Sequence, residues 1–249
     1  MITRRAGMMA VLMGLALTTG AATSLRIAAA SNLHVVVAPL QAAFQQEHPE
    51  IQLEFSHGSS GNLVAQIRHG APFDAFLSAD LGYPAALIES GHAAAGSVQA
   101  FAIGQLVLWP HPPAGSDWVV VLRDPGVRRI AIAQPDIAPF GIAARQVLQA
   151  AGLWPTIQAR IVYGENVAQA LHFADSGNAN YAFIAASLLV GRPQLGPGLI
   201  LPVDDENVLA HGAVVIRGRP HARAAAVFLA WLGSETAQQI LVAYDYRLP

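Results

Sequence analysis

Leu25-Arg26-Ile27-Ala28-Ala29-Ala30-Ser31-Asn32-Leu33 reads as a short apolar strand that turns at Ser31 into a helix, marked further on by Leu40 and Phe44 at helical spacing. A second stretch, Ile51-Gln52-Leu53-Glu54-Phe55-Ser56-His57-Gly58-Ser59-Ser60-Gly61-Asn62-Leu63, has the same form, with its turn at Ser60 and a helix carrying Leu63 and Ile67. In both, a hydroxyl stands where the chain passes from strand to helix. Unpaired backbone N–H groups and the positive end of the helix dipole make such a place attractive to an anion. Two more turns are built alike. Arg129–Ala133 leads to Pro139-Phe140-Gly141, and Pro139 suits a first helical position because its missing N–H is not needed there. Ala159–Tyr163 leads to Gly164-Glu165-Asn166-Val167, where Glu165 or Asn166 can cap a helix that opens at Val167. Each turn alone is also an ordinary cap. The four together, facing one cleft, would combine the hydroxyls of Ser31 and Ser60 with N–H groups near Asn32, Phe140 and Val167, and would hold an oxyanion without a cation.

Short apolar runs alternate with helical segments along the chain, which predicts an α/β protein with mostly parallel strands. The strands are expected at Leu25–Ala29, Ile51–Phe55, Phe73–Ser78, Gln105–Trp109, Arg129–Ala133, Ala159–Tyr163, Tyr181–Ile184 and Ala213–Ile216. Further helices are marked by Ile142 and Leu148, with Gly152 as a stop, and by Val167 and Leu171. The Pro- and Gly-rich stretches Pro110–Gly115 and Gly191–Gly198 punctuate the chain without the composition of flexible linkers. The last segment, His211–Pro249, holds a strand and an amphipathic helix around Val227, Leu229, Trp231 and Ile240 that can return to the first lobe.

Of 249 residues, 53% are hydrophobic and 12% charged, which excludes a disordered chain and suffices for two lobes. Arg4 and Arg5, the apolar run Met8–Leu17 and small residues through Ala21, Ala22 and Ser24 have the layout of a secretory signal peptide over residues 1–24, with cleavage near Ala22–Ser24. The run is shorter than the roughly 20 apolar residues of a transmembrane helix, so stable membrane insertion is not expected. The chain has no cysteine, so it forms no disulfide and carries no lipid on an N-terminal cysteine. All fourteen basic residues are arginine, and two lie in the leader, so the net charge of −2 becomes −4 (−2 minus 2) after cleavage. That balance argues against nucleic acid as a partner. The expected location is the periplasm.

The residues Ala28-Ala29-Ala30-Ser31, Gly58-Ser59-Ser60-Gly61 with Leu63 and Gln66-Ile67, Gly70-Ala71-Pro72-Phe73-Asp74-Ala75-Phe76-Leu77-Ser78-Ala79-Asp80, Pro139-Phe140-Gly141 and Glu165-Asn166-Val167 resemble the periplasmic molybdate-binding proteins, the substrate-binding components of molybdate ABC importers. The resemblance spans essentially all of the chain after the leader, and the run from Gly70 to Asp80 is its most distinctive part. It implies a two-lobed periplasmic binding protein of type II, with mixed, mostly parallel sheets, helices on both faces and a two-segment hinge. One lobe would comprise 25–103 plus 211–249 and the other 104–210, with crossings near Phe101–Gln105 and Asn207–Ala213. It also implies capture of molybdate, and of tungstate, by hydroxyls of Ser31 and Ser60 and backbone N–H groups of Phe140 and Val167, with Ser59 as the alternative to its neighbour. Molybdenum would enter only within its oxyanion, with no direct metal ligand. Some members use the residue after the first serine, here Asn32; others use a tyrosine whose position here is Ala185, so Asn32 stands in as the fifth ligand and Tyr181 is out of place for that role. No cofactor and no catalytic residue are implied. The implied partners are an ABC permease and its ATPase, with the chain itself a monomer.

Other readings compete. The same cleft could take another tetrahedral oxyanion such as sulfate. A serine hydrolase would need a G-x-S-x-G elbow, but Asn62 replaces the last glycine in Gly58-Ser59-Ser60-Gly61-Asn62. A divalent-metal carrier would need ligand spacing, and the nine histidines at 34, 48, 57, 69, 92, 111, 172, 211 and 221 repeat none, which places most of them on the surface or in loops. Asp74 and Asp80 are expected to act structurally, Asp80 by capping the helix through Tyr83 and Leu87, because carboxylates beside a dianion would repel it. Tyr244 and Tyr246 are expected to pack at the end of the terminal helix.

Overall fold

The computed structural model describes residues 22–203 and 209–249. The expected signal peptide therefore lies outside the described residues except at its last three positions. Thr23 and Ser24 already belong to the first strand and pair with Ile51 and Gln52, so the fold begins two residues before the expected start at Leu25.

The chain builds β1 (Thr23–Ala30), a 310 turn (Ser31–Leu33), α1 (His34–Glu47), β2 (Ile51–Gly58), α2 (Ser60–Arg68), β3 (Ala75–Leu77), α3 (Gly82–Glu89) and β4 (Gln99–Ile103). It then passes through Gly104 and Gln105 into β5 (Leu106–Trp109), α4 (Trp118–Arg123), β6 (Ile130–Ala133), α5 (Pro139–Ala150), α6 (Trp154–Ile157), β7 (Ile161–Gly164), α7 (Val167–Asp175), β8 (Tyr181–Ala185) and β9 (Leu199–Ile200). β10 (Ala210–Val215), α8 (Ala222–Trp231) and α9 (Glu235–Ala243) complete it. Residues 207 and 208 of the expected second crossing lie outside the described residues, and β10 is already paired in the first sheet from Ala210.

Two five-stranded sheets result, in the orders β2-β1-β3-β10-β4 and β7-β6-β8-β5-β9. Each has three parallel strands joined by crossover helices, followed by one strand running antiparallel to its neighbours. In each sheet that antiparallel strand, β10 or β5, is the first one formed after the chain has crossed from the other sheet. The repetition of one topology gives two lobes with equivalent edges facing each other. β6, Ile-Ala-Ile-Ala, is fully buried along its whole length, as a strand covered on both faces must be.

The strands Gln99–Ile103 and Leu199–Ile200 are not among those expected from the sequence; both sit at sheet edges, where pairing with an already formed neighbour decides them. Phe73–Ser78 shortens to β3, and Ala159–Arg160 is a 310 turn before β7. The terminal segment returns to the first lobe: Phe44 of α1 meets Phe228 and Trp231 of α8 edge-on, at 5.1 and 5.3 Å between ring centres. Trp231 Nε1 also donates to Glu47 at 2.9 Å. Among the described residues, no helix is long and apolar enough to cross a membrane.

Candidate functional site

All four helix starts singled out in the sequence open onto one cavity between the lobes. Its walls are Ala30, Ser31 and Asn32 from the turn after β1, Gly58, Ser59 and Ser60 from the turn after β2, Ala79, then Ala138, Pro139 and Phe140 before and in α5, and Asn166 and Val167 at the start of α7. Ser31, Asn32, Ser59, Ser60, Phe140 and Val167 are thus brought together. The cavity is small, about 10 Å³ measured to the centre of a water-sized sphere, near the least that holds one water molecule. No wall residue is ionisable. The nearest imidazole in sequence, His57 beside Gly58, is pushed toward its neutral form by burial and by the neighbouring His34, against weaker opposition from the Ala30 and Ala29 backbone.

Ordinary capping does not account for these turns. Neither Ala30, Ser59 nor Ala138, the residues preceding the 310 turn, α2 and α5, caps its helix with a side chain. Only Asn166 does, accepting from the N–H groups of Ala168 and Gln169 at 3.1 Å each, which leaves that of Val167 unengaged by the cap. In α5 the first residue is Pro139, so Phe140 carries the first N–H of the helix, and it has no acceptor one turn back. Gly141 lets this turn settle against β6, since a Cβ there would fall on the Ala133 carbonyl oxygen.

The serines are oriented as donors. Ser60 Oγ accepts from the Ala79 N–H at 3.2 Å, so its own proton is free for an acceptor in the cavity. Ser59 Oγ is buried and has no hydrogen-bond partner. Asp80 stands one residue away and holds that wall in place: its carboxylate accepts from Ser78 Oγ at 2.8 Å and from the Tyr83 N–H at 3.2 Å, and burial raises its carboxyl while these two bonds oppose the shift. Asp74 likewise accepts from the Arg26 N–H at 2.9 Å and faces Arg219 at 3.7 Å.

The side chain of Asn32 is engaged behind the cavity. Its Nδ2 donates to His211 Nε2 at 2.6 Å and to Tyr246 Oη at 2.9 Å, so the side chain offers the cavity no N–H; its Oδ1 is buried without a hydrogen bond. Only the backbone N–H of Asn32 remains to face a ligand. Ala185, at the position of the family's tyrosine, is buried in β8 and is not part of the wall. Sequence reasoning missed both partners of Asn32: His211 is fully buried rather than superficial, and Tyr246, 3% exposed, reaches the rear of the site rather than merely ending the helix. Neither has a local signature, because both arrive from about 180 or more residues away.

The lobes are joined in front of the cavity as well. The Gly61 N–H donates to the Ile137 carbonyl at 2.9 Å, Asn62 Nδ2 to Glu165 at 2.8 Å, and the Tyr83 hydroxyl to the Asp136 carbonyl at 3.4 Å. A Cβ on Gly61 would lie 3.0 Å from both Cα and O of Ile137 and 2.7 Å from the Tyr83 hydroxyl.

The family profile described as bacterial extracellular solute-binding protein matches residues 25–247. The molybdate-binding protein ModA of Rhodobacter capsulatus is 35% identical over 246 residues, covering 98% of this chain and 96% of that protein. ModA of Azotobacter vinelandii is 32% identical over 94% of each chain. The solved structure of the periplasmic molybdate-binding protein of Azotobacter vinelandii superposes with a TM-score of 0.82 at 33% identity, over 90% of this chain and 99% of that one.

Two predictions follow from the geometry. Gly61→Ala, at a helical position that tolerates alanine, leaves the lobes folded but costs the closed form about 1–3 kcal/mol of overpacking; small-angle scattering with saturating oxyanion should then give a larger radius of gyration than wild type, and an equal radius refutes it. Burial lowers the His211 imidazole to about 4 from 6.5, partly opposed by its bond to the Leu209 carbonyl. Between those values the unfolded chain binds the proton and the fold does not, so stability falls as pH drops from 6.5 toward 4 and is unaffected above. Wild type should therefore lose about 2 kcal/mol more than His211→Gln between pH 7 and 4.5 in urea titrations; equal losses refute a neutral buried His211.

Proposed function

The chain belongs to the bacterial extracellular solute-binding proteins, in the family of the periplasmic molybdate-binding proteins, and from that membership we propose that it captures molybdate, and equally tungstate, between its lobes. The observation that carries the proposal is the convergence of four helix starts, three without side-chain caps, on one small cavity whose walls carry no charge. The hydroxyls of Ser31, Ser59 and Ser60 and the N–H groups of Asn32, Phe140 and Val167 donate to the anion. Hydrogen bonds to a charged group contribute about 1.5–3 kcal/mol each, so six suffice to desolvate a small dianion.

Selectivity follows from the donors. Phosphate at neutral pH carries a proton that would meet another donor, whereas molybdate, tungstate and sulfate carry none. Sulfate is the second reading, since it too carries no proton, and size is then the property that must tell it from molybdate. The protein acts by binding and not by catalysis, uses no cofactor, and works as a monomer in the periplasm after export. Closure around the anion presents both lobes to an ABC permease, which takes up the ligand with the energy of its ATPase.

Thermal unfolding with each anion tests the proposal. A ligand at a hundred times its Kd stabilises by about 2.7 kcal/mol, which for a chain of this size raises Tm by about 5–10 °C. Molybdate and tungstate should produce that rise and phosphate none; an equal rise with sulfate transfers the function to sulfate, and no rise with any oxyanion refutes it. Ser60→Ala should weaken molybdate binding by about 1–3 kcal/mol in calorimetric titration, the loss of one buried bond to a charge. Undiminished affinity would remove Ser60 from the site.

A further inference from the structure

Two buried titratable groups behind the cavity, His211 and Tyr246, are left unused by the binding scheme above, and the contacts of the imidazole point in a single direction. His211 Nδ1 lies 2.8 Å from the Leu209 carbonyl oxygen, an atom that can only accept, so Nδ1 carries the proton and Nε2 the lone pair. That lone pair is 2.6 Å from Asn32 Nδ2. The Tyr246 hydroxyl accepts from the same Nδ2 at 2.9 Å and donates to the Asn32 carbonyl at 3.1 Å, where the Ser187 hydroxyl donates as well, also at 3.1 Å. The 310 turn Ser31–Leu33 has no side-chain cap of its own; beside the backbone bond from the His34 N–H to the Ser31 carbonyl, these distant partners hold it from behind.

The other side of the imidazole meets the second lobe. Its ring stands edge-on to Phe140, 6.3 Å between centres, and Gly104 at the crossing between sheets leaves room for both, since a Cβ there would lie 2.9 Å from His211 Cε1 and from Phe140 Cζ. One side chain on β10 therefore meets Asn32 in the first lobe and Phe140 in the second, two residues that both line the cavity.

We propose that His211 is the positioning residue of the oxyanion site: by accepting from Asn32 Nδ2 it holds the Ser31–Leu33 turn so that the Ser31 hydroxyl and the Asn32 N–H point into the cavity. The inference rests on the binding function proposed above. It assigns His211 no contact with the anion; its effect on affinity passes through Asn32.

Calorimetric titration of molybdate into wild type, His211→Phe and His211→Gln tests it. Phe keeps the ring and its packing on Phe140 but offers no acceptor. Gln offers an amide oxygen to Asn32. His211→Phe should raise Kd at least tenfold, and His211→Gln should bind within about threefold of wild type. Equal affinity of His211→Phe and wild type overturns the inference. So does an equal loss in both variants, which would make space rather than the acceptor the cause. If His211→Phe does not fold, Asn32→Ala removes the amide that the imidazole accepts from and leaves the packing of His211 on Phe140 in place, and a Kd unchanged from wild type then overturns the inference. Absence of binding by wild type itself overturns the functional reading first, and this inference only with it.

Discussion

A helix start that has no cap leaves backbone N–H groups without an acceptor, and burying each one unpaired costs about 1–3 kcal/mol. This chain brings three such starts, and a fourth capped only beyond its first residue, to one cavity between two lobes. The rest of the architecture serves that constraint. Each start is delivered by a parallel strand, β1, β2, β6 or β7, ending at the same edge of its sheet, and the two sheets repeat one strand order so that these edges oppose each other. Bringing the lobes together without an acceptor between them is unfavourable; a small oxyanion with lone pairs in every direction removes the cost. Under the proposed function, closure is a population shift driven by the ligand's preference for the form in which both lobes reach it.

The contacts between the lobes in front of the cavity are weaker than the buried bond from Ser187 to the Asn32 carbonyl behind it. Asn62–Glu165 and Tyr83–Asp136 are exposed, and hydrogen bonds between neutral or solvated groups at a surface contribute little net stability. Gly61–Ile137 is a single backbone bond, but it requires close approach. Together these contacts define where the lobes meet more than how strongly. The carboxylates nearby fit the same logic: Asp80 is turned toward Ser78 and Tyr83, and the turn it stabilises supplies the Ala79 N–H that occupies the Ser60 lone pair. A negative charge close to an anion site thereby acts at one remove to aim a proton at the cavity.

The parts of the site that were legible in the sequence are those whose cause is local. Ser31, Ser60, Phe140 and Val167 sit at strand-to-helix turns, and a turn writes itself into a few adjacent residues: an apolar run, a small or capping residue, a helical period. The Pro139-Phe140-Gly141 triplet is the clearest case, with one residue lacking an N–H, one supplying it and one too small to block the packing. The same reasoning failed where partners come from far along the chain. Nothing near Asn32 in the sequence announces the partners of its amide; His211 and Tyr246 arrive through β10 and the residues after α9. β4 and β9 failed for a related reason, since edge strands depend on a neighbour's hydrogen bonds more than on their own side chains.

Ala185 carries the same point further. Where the family resemblance anticipates a tyrosine hydroxyl from β8, this chain has a methyl group, and the polar demand at the rear of the cavity is met from elsewhere. Ser187, two residues further on, donates to the Asn32 carbonyl, and Tyr246 reaches that carbonyl from the opposite lobe. Burial raises the Tyr246 phenol, against weaker opposition from Ser187 and Asn32, so it stays a neutral donor. The replacement changes what the hydroxyl does: it orients a residue of the first lobe and does not touch the ligand. It also draws the C-terminal segment into the hinge, because Arg247 next to Tyr246 pairs its backbone with Ile103 in both directions, at 2.7 and 2.9 Å, immediately before the chain crosses at Gly104. The end of the chain, the crossing strand and the Ser31–Leu33 turn are thus linked by hydrogen bonds through Tyr246 and Arg247.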